Sequence, residues 1–298
     1  MDASATPRRV RAAEVDRKVT VPLVRSSKRA TTGRSLVMVT AYDAPGARIA
    51  DRAGVDIVLV GDSLAMVVLG YEDTLSVTVE DMAHHTAAVA RARPRALVVA
   101  DMPWMSYHVS TEDTVRNAAA LIRSGATAVK LEGGRNRVAA IESIVHAEIP
   151  VMGHLGLTPQ SVHAMGGFKV QAKEAGAART LLDDARALVG AGCFAIVLEG
   201  IPDAVARLVT ESVEVPTIGI GAGPACDGQV LVFHDVLGLE ERIVPKFVRR
   251  YAELGSLAVE ALREYADDVR NGTFPSDQET YHLSPGVEEE LSGLYGAA

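Results

Sequence analysis

The residues able to do chemistry in this chain recur in one kind of place, at the end of a short run rich in Val, Ile and Leu. Tyr42 and Asp43 close the first such run, Asp62 and Ser63 the second, and Asp101 the third. Lys130 and Glu132 close the fourth, His154 the fifth and Glu199 the sixth, and Gly219-Ile-Gly-Ala-Gly223 follows the seventh. Any one of these acids has a plain alternative as a solvated strand end. As a set, carboxylates brought to one rim repel each other and take up protons unless a cation holds them. No Cys/His cluster accompanies them, so their oxygens suit Mg²⁺, Mn²⁺ or Ca²⁺ better than zinc. Mg²⁺ commonly holds one or two carboxylates and leaves positions for substrate oxygens, of which a 2-oxo acid offers a chelating pair. Lys130 stands two residues before Glu132 and so shares its face of a strand. It could neutralise a substrate carboxylate or pair with one of the acids.

These positions require parallel strands. Eight runs have strand character, Leu36–Asp43, Asp56–Ser63, Ala96–Pro103, Ala128–Gly133, Val151–Gly156, Phe194–Gly200, Thr217–Gly223 and Val230–Val236, each bounded by turn residues. Helical segments alternate with them. Thr78-Val-Glu-Asp predicts an N-cap with acids in the first turn for a helix over Met82–Arg93, and Ser110-Thr-Glu-Asp does the same for Val115–Arg123. Gly54, Gly125 and Gly192 each follow a helix where a left-handed residue is needed, and each is followed by a strand. Eight such units fit an α/β fold of (β/α)₈ (TIM) barrel type, in which the strand ends form the active site. A dinucleotide-binding fold is disfavoured, since the first strand ends Thr40-Ala-Tyr-Asp43 without the required glycines. The expected organisation is a flexible arm over residues 1–32, a single barrel domain over 33–270, and a tail over 271–298 of loop, subunit contact or disorder. Tyr251–Arg270 reads as a last amphipathic helix.

Among the remaining candidates, the glycines at 219–223 would serve a phosphate loop or a tight turn equally well. His84 and His85 read as structural on their helix, Trp104 and His108 as loop-shaping, and His163 could line the mouth. Composition narrows the partners. The chain has 298 residues and a formal net charge of −8, which disfavours nucleic acid and leaves a small ligand as the better expectation. No apolar run reaches membrane-spanning length, and the basic N-terminus lacks a secretory apolar region. Its Arg-rich start hints only weakly at a transit peptide, against which Asp2, Glu14 and Asp16 count. Two cysteines make no disulfide framework and fit a reducing cytoplasm; Cys193, within an apolar run, reads as a core residue.

Several stretches resemble the ketopantoate hydroxymethyltransferase family. They include Thr40-Ala-Tyr-Asp43, Val60-Gly-Asp-Ser63, Ala100-Asp-Met-Pro103 and Val129-Lys-Leu-Glu-Gly-Gly134. Gly153-His-Leu-Gly-Leu-Thr-Pro-Gln160, Gly166-Gly-Phe-Lys-Val170, Leu198-Glu199, Ile218-Gly-Ile-Gly-Ala-Gly223 and Asp227-Gly-Gln-Val-Leu-Val-Phe-His-Asp235 continue the match in order to about Phe247. The resemblance implies a barrel of the phosphoenolpyruvate/pyruvate kind, commonly a homodecamer. It implies transfer of a hydroxymethyl group from 5,10-methylenetetrahydrofolate to 3-methyl-2-oxobutanoate, giving 2-dehydropantoate on the way to pantothenate and coenzyme A. By position, it makes Asp62 and Asp101 ligands of Mg²⁺ with Glu132 in the metal shell. It also makes Asp62, Ser63, Asp101 and Lys130 contacts of the oxo acid, and Glu199 the proton acceptor; His154 and Tyr42 stand as candidate accessory residues, and either His154 or a water could manage the proton balance. Chemically, a Mg²⁺-chelated oxo acid would yield its C3 proton to Glu199 as an enolate. Gly200-Ile201 departs from relatives that carry a bulkier residue there. Two rivals remain: a related lyase, which would want a loop cysteine where this chain has none before Cys193, and a catalytically silent barrel.

Overall fold

The computed structural model describes residues 17–240 and 245–295. Eight strands, β1 (Leu36–Thr40), β2 (Ile57–Val60), β3 (Leu97–Asp101), β4 (Ala128–Glu132), β5 (Val151–Gly156), β6 (Ala195–Glu199), β7 (Thr217–Ile220) and β8 (Gly228–Leu231), close in sequence order into a barrel. Every neighbouring pair is parallel, including β8 with β1. The last strand starts at Gly228 rather than Val230, since Gly228 packs a hydrogen in place of a side chain against the Leu36 carbonyl.

The strand period of two sorts the side chains. Ile57 and Leu59, Leu97 and Val99, Ala128, Met152, Ala195 and Val197, with Ile218 and Ile220, form one buried cluster inside the barrel. Val58, Val60, Val98, Ala100, Val129, Leu131, Ile196 and Leu198, between them in sequence, face the surrounding helices and form a second cluster with Met82, Leu121, Ile141 and Leu188. Helix Val79–Arg91 starts at Thr78, whose hydroxyl and Asp81 form a reciprocal capping box, and helix Thr111–Arg123 starts at Ser110. Gly54, Gly125 and Gly192 have φ of 81°, 109° and 101°. At Gly125 a Cβ would come within 2.3 Å of Ala90 Cβ, so glycine also permits the helix contact there.

The two ends of the chain add detail to the expected arm and tail. Residues 1–16 of the expected arm lie outside the described residues. Residues 17–32 pack across the strand-start face, with helices Val21–Arg25 and Arg29–Thr32. Val24 is fully buried in the inner cluster, Val19 N–H donates to the Arg95 carbonyl at 2.8 Å, and Lys28 pairs with Asp227 at 2.9 Å. The apolar spacing Val19, Val21, Val24 within an Arg-rich stretch makes this segment a plug that covers the lowest inner layer. At the other end, helix Leu254–Asn271 matches the expected element but buries none of its residues, and Leu257 and Leu262 stay exposed. The tail beyond it holds a further helix, Pro285–Tyr295.

Candidate active site

The inward parity that fills the barrel with Val and Ile lower down continues to the rim and there changes chemistry. Val99 is followed on its face by Asp101, Ala128 by Lys130 and Glu132, Met152 by His154, and Val197 by Glu199. Register then sets the neighbours. Asp101 lies opposite Lys130 across β3 and β4, and Glu132 opposite His154 across β4 and β5. The Lys130 ammonium sits 2.8 Å from Asp101 Oδ1 and 3.3 Å from His154 Nδ1. His154 Nδ1 is 3.3 Å from Glu132 Oε1, and its Nε2 is 3.1 Å from Glu199 Oε2. A continuous row therefore runs Asp101, Lys130, His154, Glu199 across four strands. Strand β2 ends one residue before Gly61, and the turn brings Asp62 onto the same rim, where its N–H donates to Asp101 Oδ2 at 3.0 Å. Gly61 leaves room for this turn, since a Cβ would meet Ser63 Oγ at 2.8 Å. Ser63 Oγ lies 2.9 Å from the Tyr42 hydroxyl, and Tyr42 is buried.

Burial and the facing carboxylates of Asp101 and Glu132 hold the Asp62 carboxyl well above its usual range. Burial also raises Asp101, although Lys130 opposes it. Burial by itself would push Lys130 down, but Asp101, Glu132 and Asp62 outweigh it and its pKa is raised. For His154, burial and Lys130 act downward, yet contacts with Glu132 and Glu199 prevail and leave it at about 9. Buried Asp62, Asp101 and Glu132, with the less buried Glu199, thus face two cationic side chains.

That imbalance is the observation against which a divalent cation can be tested. Among the described residues no three His, Cys, Asp or Glu side chains converge as a ready-made metal cluster. Glu132, expected in the metal shell, has both oxygens engaged: Oε2 accepts from Gln160 N–H at 3.0 Å and Oε1 faces His154. Asp101 is engaged in the same way, through Oδ1 at Lys130 and Oδ2 at Asp62 N–H, so these contacts set none of the three acids apart. Asp62, Asp101 and Glu132 together offer oxygen donors with an excess of negative charge around them. This suits a hard cation that takes one or two carboxylates and keeps its waters.

Two residues without an expected role complete the cluster. Gln160 Nε2 donates to Asp62 Oδ2 at 2.8 Å and to the Met102 carbonyl at 3.0 Å, while its Oε1 accepts from the Tyr107 hydroxyl at 2.5 Å. The sequence signal was the Thr-Pro-Gln at the end of the His154 motif, a loop glutamine whose burial only the fold reveals. Tyr107 carried no signal beyond following the third strand.

Other candidates fall away from the rim chemistry. Asp43 caps helix Ala44–Arg52 by accepting from Gly46 N–H at 2.7 Å. His163 is exposed on a short helix over Val162–Met165. His85, on its helix as expected, reaches the Tyr42 carbonyl at 2.7 Å and so steadies the end of β1. The glycines after β7 form a tight turn, and Gly221 and Gly223 line the cavity. A Cβ at Gly221 would meet the Phe247 ring at 2.7 Å, and one at Gly223 would meet Asp203 Cβ at 2.5 Å.

The acids form the floor of a cavity of about 1130 Å³. Its wall above the floor is largely apolar, with Met66, Tyr71, Leu157, Phe168, Ile201 and Phe247. Fold and floor together define a (β/α)₈ barrel with a buried, acid-rich pocket at the strand ends. The ketopantoate hydroxymethyltransferase family model matches residues 18–277, and the chain belongs to that family. It is 56% identical over 278 residues to 3-methyl-2-oxobutanoate hydroxymethyltransferase of Syntrophobacter fumaroxidans, covering 93% of this chain and 98% of that one. It is 58% identical over 266 residues to 3-methyl-2-oxobutanoate hydroxymethyltransferase 2 of Bradyrhizobium diazoefficiens, covering 89% and 90%. Among solved structures, 2,3-dimethylmalate lyase, of the PEP mutase/isocitrate lyase superfamily, shares the fold with a TM-score of 0.56 at 21% identity, covering 93% of this chain and 95% of that one.

Proposed function

We propose that this chain transfers a hydroxymethyl group from 5,10-methylenetetrahydrofolate to 3-methyl-2-oxobutanoate, giving 2-dehydropantoate for pantothenate and coenzyme A synthesis. Family membership supports the reaction, and the row Asp101–Lys130–His154–Glu199 on the cavity floor is the observation that carries the site. Asp62 and Asp101 would hold a divalent cation, Mg²⁺ by the chemistry of their oxygens, with Glu132 in the metal shell. When bound, such a cation supplies Lewis acidity to the carbonyl next to the C–H bond that breaks.

The chain's own groups account for the remaining steps. Lys130, held cationic by its acids, orients the substrate carboxylate, and Ser63 donates to it from its place beside Tyr42. Val197, Leu157 and Ile201 line the cavity and take the branched apolar end of the oxo acid. Glu199 accepts the C3 proton, and His154 at 3.1 Å keeps the carboxylate aimed. C3 then bonds to the one-carbon unit, tetrahydrofolate leaves, and a water provides the hydroxyl oxygen. A five-carbon oxo acid leaves most of the 1130 Å³ empty, since pockets of about 300–1,000 Å³ suit whole drug-sized ligands. The folate fits the apolar upper wall, where Tyr71, Phe168 and Phe247 offer faces to its ring. A lyase using a loop cysteine finds no support, because Cys193 and Cys226 are both buried away from the rim.

The catalytic unit is the barrel over residues 33–270. The uncovered apolar face of helix Leu254–Asn271 supports a homo-oligomer, a decamer by family resemblance. No described helix is long and apolar enough to cross a membrane; the cytoplasmic setting is proposed from the reducing compartment that two free cysteines suit. The deciding experiment supplies Mg²⁺, the oxo acid and methylenetetrahydrofolate to purified protein and follows 2-dehydropantoate by mass spectrometry. Absence of product under conditions where the Syntrophobacter relative turns over would refute the reading.

A further inference from the structure

Four hydrogen bonds among Glu132, Tyr107, Gln160 and Asp62 have only one consistent direction. The Glu132 backbone N–H donates to the Tyr107 hydroxyl oxygen at 3.2 Å. The hydroxyl has one proton, and Gln160 Oε1, at 2.5 Å, is the acceptor that takes it. With Oε1 occupied in this way, the amide nitrogen must point the other way, to Asp62 Oδ2 at 2.8 Å and the Met102 carbonyl at 3.0 Å. Gln160 also donates its own backbone N–H to Glu132 Oε2 at 3.0 Å, which ties the loop after β5 back to β4.

A glutamine amide has two orientations of nearly equal shape, and its surroundings choose between them. Turned over, it would set its one carbonyl oxygen against both the Asp62 carboxylate and the Met102 carbonyl. Tyr107 removes that alternative by giving Oε1 its donor. The phenol is buried, its ring lies under the Arg137 guanidinium at 5.5 Å from the centroid, and burial keeps it protonated and therefore donating. Asp62 Oδ2 is thereby occupied by a fixed donor. Oδ1 makes no hydrogen bond among the described residues and remains for the cavity.

We propose that Tyr107 and Gln160 are a positioning pair that sets the orientation of the Asp62 carboxylate and so the site's affinity for a divalent cation. The proposal rests on the reading of Asp62 as a cation ligand. Neither residue is offered as touching the substrate.

The test is a double-mutant cycle with Mg²⁺ affinity, measured calorimetrically on substrate-free full-length protein, as its readout. Tyr107→Phe removes one hydroxyl and leaves the ring in place. It should weaken Mg²⁺ binding roughly 3- to 10-fold, the range of one net hydrogen bond. Gln160→Met should weaken it at least as much, and adding Tyr107→Phe to Gln160→Met should weaken it no further. The apparent KM for the oxo acid should rise in Tyr107→Phe with little loss of kcat. A merely structural role would lower the melting temperature of Tyr107→Phe while leaving Mg²⁺ affinity within twofold of the parent, and that result overturns the proposal. Effects that multiply in the double variant also overturn it. Should Gln160→Met fail to fold, the Tyr107→Phe affinity alone decides. Asp62→Asn serves as the control. If it leaves Mg²⁺ affinity unchanged, the cation reading itself fails and takes the proposal with it. If it abolishes binding while Tyr107→Phe does nothing, only the positioning role fails.

Discussion

Replacing Lys130 by Met tests the electrostatics on which the whole rim depends. The ammonium is buried, 2.8 Å from Asp101 Oδ1, and methionine keeps much of the apolar stem while removing the charge. Breaking a buried pair by deleting one partner costs about 3–5 kcal/mol, because the other charge is left uncompensated. Two features favour the lower end here. Asp101 is already shifted toward its protonated form, and its Oδ2 keeps the Asp62 N–H as a donor when the ammonium is gone. A loss of about 3 kcal/mol corresponds to an apparent melting temperature lower by about 6–12 °C, taking about 2–4 °C per kcal/mol for a chain of this size. The folded-state pKa of Lys130 lies above its ordinary 10.5, so its stabilising contribution is complete below that value and is lost only at higher pH. Calorimetric scans in chelator at pH 7.5 therefore read it in full. Saturating Mg²⁺ should restore part of the loss, since it supplies the missing positive charge, whereas oxo-acid binding should not return. A variant that melts within about 2 °C of the parent in chelator would refute the claim that the acids need Lys130.

Glu199→Gln should abolish exchange of the oxo acid's C3 proton with deuterated water while leaving Mg²⁺ binding largely intact; near-normal exchange by NMR would remove Glu199 as the base. Asp62→Ala and Asp101→Ala should each weaken Mg²⁺ and oxo-acid binding together by titration calorimetry, and unchanged metal affinity in both would show the site assignment to be wrong. Asp235, half-buried on the cavity wall, is raised to about 6 by burial and by Glu240. Its neutral form is the one the fold prefers, so parent stability should fall as pH rises from about 4 through about 6. The full shift is about 3 kcal/mol, reduced by solvent screening to about 1 kcal/mol, so Asp235→Asn should melt about 2–4 °C higher at pH 7 and lose that pH dependence.

Local sequence determined a good deal of this protein. Periodicity and punctuation located seven strands and caught the eighth only at Val230 and Leu231, the rest of that run entering helix Phe233–Leu237. They work because a parallel strand buried on both faces must be a short apolar run and the helix before it must end in a left-handed residue such as Gly54 or Gly192. Asp62, Asp101, Lys130, Glu132, His154 and Glu199 were legible for a related reason. Asp101, Lys130, Glu132, His154 and Glu199 are carried to the rim by the same parity that buries Val99 or Val197 below them, whereas Asp62, of the opposite parity, reaches it through the turn at Gly61.

Other features depended on contacts between residues far apart in sequence. Gln160 reaches Asp62 across 98 positions and Tyr107 across 53; Tyr107 has no local signal, and the Thr-Pro-Gln that marks Gln160 does not tell that it is buried against Asp62. That the end of the arm docks, with Val24 against the lowest barrel layer, depends on the apolar surface this layer presents. Helix Leu254–Asn271 has the periodicity of a barrel helix, yet its amphipathic pattern says only that one face seeks cover. Which acids meet, Asp101 with Lys130 and Glu132 with His154, was decided by strand register, a property of the closed sheet that neither strand holds alone.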